Sequence, residues 1–486
     1  MGFTTLDYTV LVVYLVGIAL FGYLRGGRQK SAQEYFLGKD SIPWWVVCFS
    51  IVAAETSTLT FISIPGLAYL TNLNFLQVTV GYLIGRIVVS AIFLPAYYKG
   101  ELSTAYAFLE RRFGVKTRRF ASVIFMVTRI AADGVRLFAT AIPLQLVLNI
   151  SYPAAIMILA LIAFAYTFAG GVRSVIWVDA VQMVVYIGGA LAAGVALILS
   201  SGGGVAGAFA PAIEAGKFHW INFGSVSGFF EQPYTLLAGL LGGAFLSMAS
   251  HGTDQLIVQR VLTTKSLKES RKALIGSGVV IVLQFALFLL VGLLLFGHYH
   301  GATLDQLGID RSDKIFPKFI IEGLPPGVSG FIIAGLLAAA LSTLAGSMSS
   351  LASSGILDLY KPIKGTRPSR FSDVGVARLG TAVAAVLLVG AAIFFMNTTQ
   401  TVVELALSIA SFTYGGLLGT FLLGVLMKTP TQEDALAGFV AGILVMVTVI
   451  SLNIVAWTWY TVIGVLATMI VGGLLSRLTS RPRALV

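Results

Sequence analysis

Apolar runs follow one another along almost the whole chain. Thirteen of them are long enough for a bilayer-crossing helix, which takes roughly 20 residues. They cover about 5–24, 43–70, 78–98, 119–148, 153–169, 173–200, 235–260, 272–297, 326–358, 374–396, 399–427, 434–455 and 457–477. Two of these runs are interrupted. Within the second, Ile51 to Pro65 reads IVAAETSTLTFISIP and carries Glu55, Thr56, Ser57, Thr58 and Thr60. Hydroxyl and β-branched side chains weaken a helix and compete for its backbone bonds. An acid at membrane depth points to function by default. The pattern predicts a discontinuous helix whose freed carbonyls and hydroxyls ligate an ion and a solute at mid-membrane. Within the seventh run, Leu241 to Gln255 reads LGGAFLSMASHGTDQ and predicts a second break. Breaks five spans apart fall at corresponding positions of two oppositely oriented halves, the pointer to inverted five-helix repeats. The predicted organisation is one all-α polytopic membrane unit. It has a leading helix and loop at 1–42, repeats at 43–200 and 235–427, and two C-terminal helices with a tail at 428–486.

Charge sets the expected orientation. Arg25, Arg28, Lys30 and Lys39 follow the first span. Lys99, Arg111, Arg112, Lys116, Arg118 and Arg119 follow the third, and Arg173 follows the fifth. Arg260, Lys265, Lys268, Arg271 and Lys272 follow the seventh, and Lys361, Lys364, Arg367 and Arg370 the ninth. Lys428 follows the eleventh, and Arg477, Arg481 and Arg483 close the chain. The intervening loops hold only Lys217, Arg311, Lys314 and Lys318. The positive-inside rule then puts the N-terminus outside and the C-terminus in the cytoplasm of a cell membrane. The longest outer connections, about 201–234 and 298–325, contain apolar residues that suggest short surface helices.

Composition narrows the function. Of 486 residues, 57% are hydrophobic and only 11% charged, against about 25% charged in a soluble domain. The net charge of +11 belongs to the loops and does not indicate a nucleic-acid partner. The single Cys48 excludes a disulfide framework, and His219, His251, His298 and His300 lack metal-ligand spacing. No hydrophilic domain or Walker motif is present to drive transport by ATP, because Gly38-Lys39 and Gly216-Lys217 lack the rest of the pattern.

Further polar residues lie inside the spans. Asp133 and Arg136 share a helix face at i, i+3, with Arg129 on the same face, and form either a structural pair or a solute contact. Arg86 would snorkel to an interface only against its depth in the third span, which argues for burial. Asp179 stands two turns into the sixth span with no adjacent base, so it needs a proton or a cation. In the ninth, AGLLAAALSTLAGSMSSLASS sets Ser342 beside Thr343, hydroxyls suited to a hard cation such as sodium.

At these residues the chain resembles the sodium:solute symporter family, which has the leucine-transporter fold with discontinuous core helices 1 and 6. The resemblance spans nearly the whole chain. It rests on AAETSTLTF, GGVRSVIWVDAVQ, GTDQLIVQR and AAALST in order, while TFISIPGLAYL and STAYAFLERRFG are most similar to the sialic acid branch. It implies a sodium site made by the carbonyls of Ala53, Thr56 and Ala339 and the hydroxyls of Ser342 and Thr343. Asp179 would lie on the sodium route to the cytoplasm. Solute contacts would come from Glu55, Ser57 and Thr60, from Gly81 and Tyr82, from Asp133 and Arg136, and from Asp254. Two features depart from the family. The sialic acid branch has an arginine one turn before Arg136, and sugar carriers have a glutamine where this chain has Leu407. Serines that build a second sodium site in some relatives correspond to Ala345 and Gly346, which implies one sodium per solute.

The expected function is sodium-coupled import of a small polar solute by alternating access, without covalent chemistry, and a single chain suffices. Glu55 and Asp254 as hydrogen-bond acceptors favour a sugar, polyol or amino sugar. Arg136 supports the alternative of sialic acid or another organic anion. A cation channel or a membrane sensor would use the same breaks, and concentrative uptake separates them from a symporter.

Overall fold

A computed structural model describes residues 3–479 except 28, 39–41, 100–101, 226–227, 310, 366–371 and 397–401. Among the described residues there is no strand. The chain begins with α1 (Thr5–Gly26), α2 (Ala32–Leu37), α3 (Trp44–Glu55), α4 (Thr58–Leu70), α5 (Leu76–Lys99) and α6 (Ala105–Arg112). It continues through α7 (Val115–Leu148), α8 (Tyr152–Ser200) and α9 (Gly204–Glu214), then a π-helical turn at Ala238–Gly242 leads into α10 (Gly243–Gly252) and α11 (Gln255–Val261). Next come α12 (Leu267–His298), α13 (Ile315–Glu322), α14 (Val328–Ser353), a second π-helical stretch at Ser354–Tyr360 and α15 (Lys361–Lys364). The last helices are α16 (Asp373–Phe395), α17 (Val402–Leu426), α18 (Gln432–Leu452) and α19 (Tyr460–Thr479).

Every predicted apolar run falls on a helix or a broken pair. Eight described helices are long and apolar enough to cross a membrane, and α3 with α4 forms a further candidate span bent by 65°. The chain therefore spans a membrane several times. At 34 residues α7 also has the length, but Arg129, Asp133 and Arg136 interrupt its middle. The runs expected at 153–169 and 173–200 meet in the 49 residues of α8. A straight helix of that size would be about 70 Å long, more than twice the hydrocarbon core. The chain turns at Gly171, whose φ of 58° is a left-handed conformation open to glycine. Both anticipated surface helices are present, as α9 and α13. Beyond α9, the Lys217 ammonium donates to the carbonyls of Tyr69 (2.8 Å) and Thr71 (2.9 Å), tying this loop over the end of α4. Partial burial lowers its pKa.

The core forms around α14, which is buried along almost its whole length. It packs on α1, α3, α4, α7, α8, α11 and α16. The second broken helix, α10–α11, lies against α5 and α17 on one side and α3 and α14 on the other. Both breaks therefore converge on α14. The basic clusters counted at 28, 39, 367, 370, 481 and 483 lie outside the described residues, as does the side chain of Leu407.

Candidate ion and solute site between the broken helices

The first break is made by its own hydroxyls. The Thr56 hydroxyl donates back to the Val52 carbonyl at 2.9 Å, alongside the Thr56 N–H at 3.0 Å, and so closes α3. Ser57 then caps α4 by accepting from the Thr60 N–H at 3.4 Å. A helix end leaves its last carbonyls without intrahelical donors. Val52 is satisfied by Thr56, whereas among the described turns and caps no N–H reaches the Ala53 carbonyl. Gln284 of α12 donates to the Thr56 hydroxyl at 2.7 Å and fixes its orientation. Across from the break, the Thr343 hydroxyl donates to the Ala339 carbonyl at 3.2 Å, leaving its lone pairs facing outward from that bond. Ala53, Thr56, Ala339, Ser342 and Thr343 are all buried, and α3 touches α14. The donor set is all carbonyl and hydroxyl oxygen, the chemistry a hard cation prefers.

Asp179 was expected to stand without a base, and the structure corrects this. Arg260 of α11 donates to its Oδ2 from Nη2 at 2.8 Å and from Nε at 3.2 Å. Ser50 of α3 donates to the same oxygen at 2.6 Å, and Ser342 donates to Oδ1 at 2.7 Å. One carboxylate thus joins both breaks to α14 and touches a candidate sodium ligand directly. Arg86 does not snorkel either. It is fully buried, pairs with Glu55, and donates from Nη1 to Ser277 at 2.8 Å. His251 Nε2 lies 3.6 Å from the same Glu55 carboxylate. A charge pulled into the bundle must be paired, because desolvation is too costly otherwise.

A second network runs along α7. Asp133 accepts from Arg136 at 3.0 Å, from Arg129 and from Ser347 of α14. Arg129 also pairs with Asp254 in the second break. Asp254 in turn accepts from the Leu256 N–H at 2.9 Å, capping α11, and from the Tyr414 hydroxyl at 3.0 Å. Two narrow cavities flank this network. One is lined by Ser57, Thr58, Asp133, Arg136, Thr140 and Thr343, and the other by Thr128, Arg129, Arg136, Asp254 and Tyr414 among others. Arg136 lines both. Its side chain is 28% exposed, and its only acceptor among the described residues is Asp133.

The structure therefore brings Ser57, Asp133, Arg136 and Thr343 to one cavity and Asp254 to the next. It does not bring the other expected solute contacts there. Glu55 is engaged by Arg86. Thr60 belongs to the capping turn of α4. Gly81 is a packing position, where a Cβ would lie 2.5 Å from the Gly239 carbonyl oxygen. Tyr82 lies edge-on to Phe285, ring centroids 6.4 Å apart. The sequence reading missed Arg129 as the link between α7 and the second break. It also missed Thr140 and Tyr414 as cavity walls. It counted Arg260 among loop charges, although the apolar LIV before it and VL after it signal burial.

A model of the sodium:solute symporter family matches residues 35–442. The chain belongs to this family. The symporter is 30% identical over 474 residues to the sodium/sialic acid symporter NanT of Aliivibrio fischeri, covering 97% of this chain and 92% of that one. Its fold superposes with a TM-score of 0.87 on the substrate-bound outward-open state of a Na+-coupled sialic acid symporter. That structure is 27% identical, with 99% of this chain and 100% of that one covered. MHP1, a nucleobase-cation-symport-1 family transporter, in a closed conformation, shares the fold at a TM-score of 0.57 and 13% identity, over 93% and 95% of the two chains. The leucine-transporter-like fold and sodium coupling expected from the sequence are borne out, and the symporter is a membrane transporter, not an enzyme.

Proposed function

We propose that this symporter imports a small carboxylated solute, an acidic sugar of the sialic acid kind foremost, together with sodium. Arg136 carries this reading: a part-exposed guanidinium with spare donors lining both cavities is a carboxylate clamp. The similarity to sialic acid symporters supports it. The neutral sugar or polyol favoured by the sequence loses its basis, because its two expected acceptors, Glu55 and Asp254, are both occupied by arginines.

Sodium would be held by the carbonyls of Ala53, Thr56 and Ala339 and the hydroxyls of Ser342 and Thr343. It would bind where the α3–α4 break meets α14, beside the cavity that Thr343 and Ser57 share. An ion there holds α3 against α14 and shapes the solute cavity, so each ligand raises the affinity for the other. The two inverted repeats, 43–200 and 235–427, would rock to open the site to one side and then the other. The basic loops support an N-terminus outside and a C-terminus in the cytoplasm.

A thermal-shift screen of purified protein in detergent tests the solute class. Sialic acid should raise the melting temperature with sodium present and not with potassium or choline in its place, because stabilisation requires binding to the folded state. Glucose and mannitol should have no effect. Stabilisation by the neutral sugars and not by sialic acid or other carboxylated solutes would return the reading to a sugar carrier.

A further inference from the structure

At the end of the bundle that carries the basic clusters, α14 gives way to the π-helical stretch Ser354–Tyr360. Such turns bond five residues apart instead of four and recur at functional sites. One side of this stretch is anchored. Asp358 accepts from Thr104 and, at 2.8 Å, from Arg118 Nε, while Arg118 Nη2 donates to the Leu357 carbonyl at 2.8 Å. The side with Gly355 is open. Together with Met126 and Ile130 of α7 and Gly380 and Ala384 of α16, Gly355 lines a groove of about 460 Å³. A Cβ at 355 would meet only the Met126 sulfur, 3.8 Å away. The Tyr360 hydroxyl is the one polar group among the lining side chains. Leu379, Val383 and Leu387 of α16 form the rim at i, i+4 and i+8, each about half exposed. In a membrane that rim meets hydrocarbon, so the groove opens to acyl chains.

The mouth of the groove is cationic. The Lys364 ammonium stands 5.9 Å from the centroid of the Tyr360 ring. On α7, Arg119 precedes Met126 by seven residues. Two helical turns put it on the same side of α7, about 10 Å nearer the basic end. Arg119 is exposed. Among the described residues neither Arg119 nor Lys364 has an ion pair, whereas Lys361 is paired with Asp373 at 3.0 Å. An apolar slot with room for one chain, beside two unpaired cations, is complementary to a lipid with a negative head.

We propose that this groove binds an anionic phospholipid from the leaflet on the side of the basic clusters. One acyl chain lies between α7, α14 and α16, and the phosphate rests on Arg119 and Lys364. The walls are helices that also carry Arg136, Ser342 and Thr343, so the lipid braces the scaffold of the solute cavity. The site is separate from those for sodium and solute, and its occupancy is read without transport.

The test titrates purified, delipidated protein in maltoside detergent with dioleoylphosphatidylglycerol or dioleoylphosphatidylcholine, which share their chains and differ in head charge. Melting temperature is followed, and retained lipid is counted by native mass spectrometry. The phosphatidylglycerol should stabilise at a roughly 30-fold lower concentration, because each cation near an anionic head is worth roughly fivefold in affinity. Arg119→Gln combined with Lys364→Gln should abolish that difference. Glycerol 3-phosphate, a head without chains, should have no effect. Gly355→Leu, whose side chain enters the groove, should retain no phosphatidylglycerol and should melt without lipid no lower than wild type. An equal response to the two lipids overturns the proposal, as does an undiminished response of Gly355→Leu to phosphatidylglycerol. A dimer that Gly355→Leu dissociates would also overturn it, by making the occupant a second copy of the chain. If Gly355→Leu does not fold, Val383→Trp on the exposed rim takes its place, with the same loss expected.

Discussion

Replacing Ser342 and Thr343 together by alanine is expected to leave a folded protein whose uptake no longer responds to a sodium gradient. Both hydroxyls lie in the buried middle of α14, opposite the Thr56–Ser57 break. Structurally they are cheap to lose. Asp179 keeps Arg260 and Ser50 when Ser342 goes, and Thr343 gives up only a long bond to a carbonyl within its own helix. A neutral hydrogen bond contributes about 1 kcal/mol to stability, an interaction with a charged group about 1.5–3. Two oxygens lost from a bound cation therefore cost at least about 3 kcal/mol, a weakening of sodium binding of roughly 100-fold or more. The sodium concentration for half-maximal uptake checks this, with melting temperature as the folding control. An unchanged half-saturation would move the ion site away from α14.

The second large effect separates two arginines seven residues apart on one helix face. Arg129 is nearly buried and holds both Asp133 and Asp254. Replacing it by methionine leaves a buried carboxylate in the second break without its cation. Breaking such a pair costs about 3–5 kcal/mol, so folded yield should fall sharply. Among the described residues Arg136 pairs only with Asp133, which Arg129 and Ser347 also hold. Arg136→Gln should therefore fold with a loss of no more than about 1 kcal/mol, yet lose sialic acid uptake by roughly 100-fold or more, the worth of a bidentate charged contact. The double variant Asp133→Asn/Arg136→Gln distinguishes a clamp from a structural pair. A clamp predicts that the double variant remains folded and inactive. Recovery of uptake would make Arg136 a partner of Asp133 and nothing more.

How far the chain could be read in advance depended on whether a signal was local. The breaks were legible because hydroxyls and acids in an apolar run contradict the run itself, and the residues that gave the signal make the breaks: Thr56 closes α3 and Asp254 starts α11. Basic residues were harder. Arg260 and Arg86 look like interfacial cations when only the order of charges is read, but their depth is set by partners elsewhere in the sequence. Asp179 is 81 positions from Arg260, and no spacing rule links them. The same blindness made Asp179 seem unneutralised and left Glu55 and Asp254 apparently free to accept hydroxyls. The turn between the fifth and sixth spans was legible too: the runs at 153–169 and 173–200 read as two spans, and the left-handed backbone of Gly171 separates them.

Coupling between a sodium gradient and a carboxylated solute is measured most directly by proteoliposome uptake. With sodium outside and potassium inside, radiolabelled sialic acid should accumulate above its external concentration. The accumulation should collapse when sodium is equalised across the membrane, and excess glucose should not compete. Uptake that only reaches equilibrium, or that proceeds equally on a proton gradient without sodium, would contradict it.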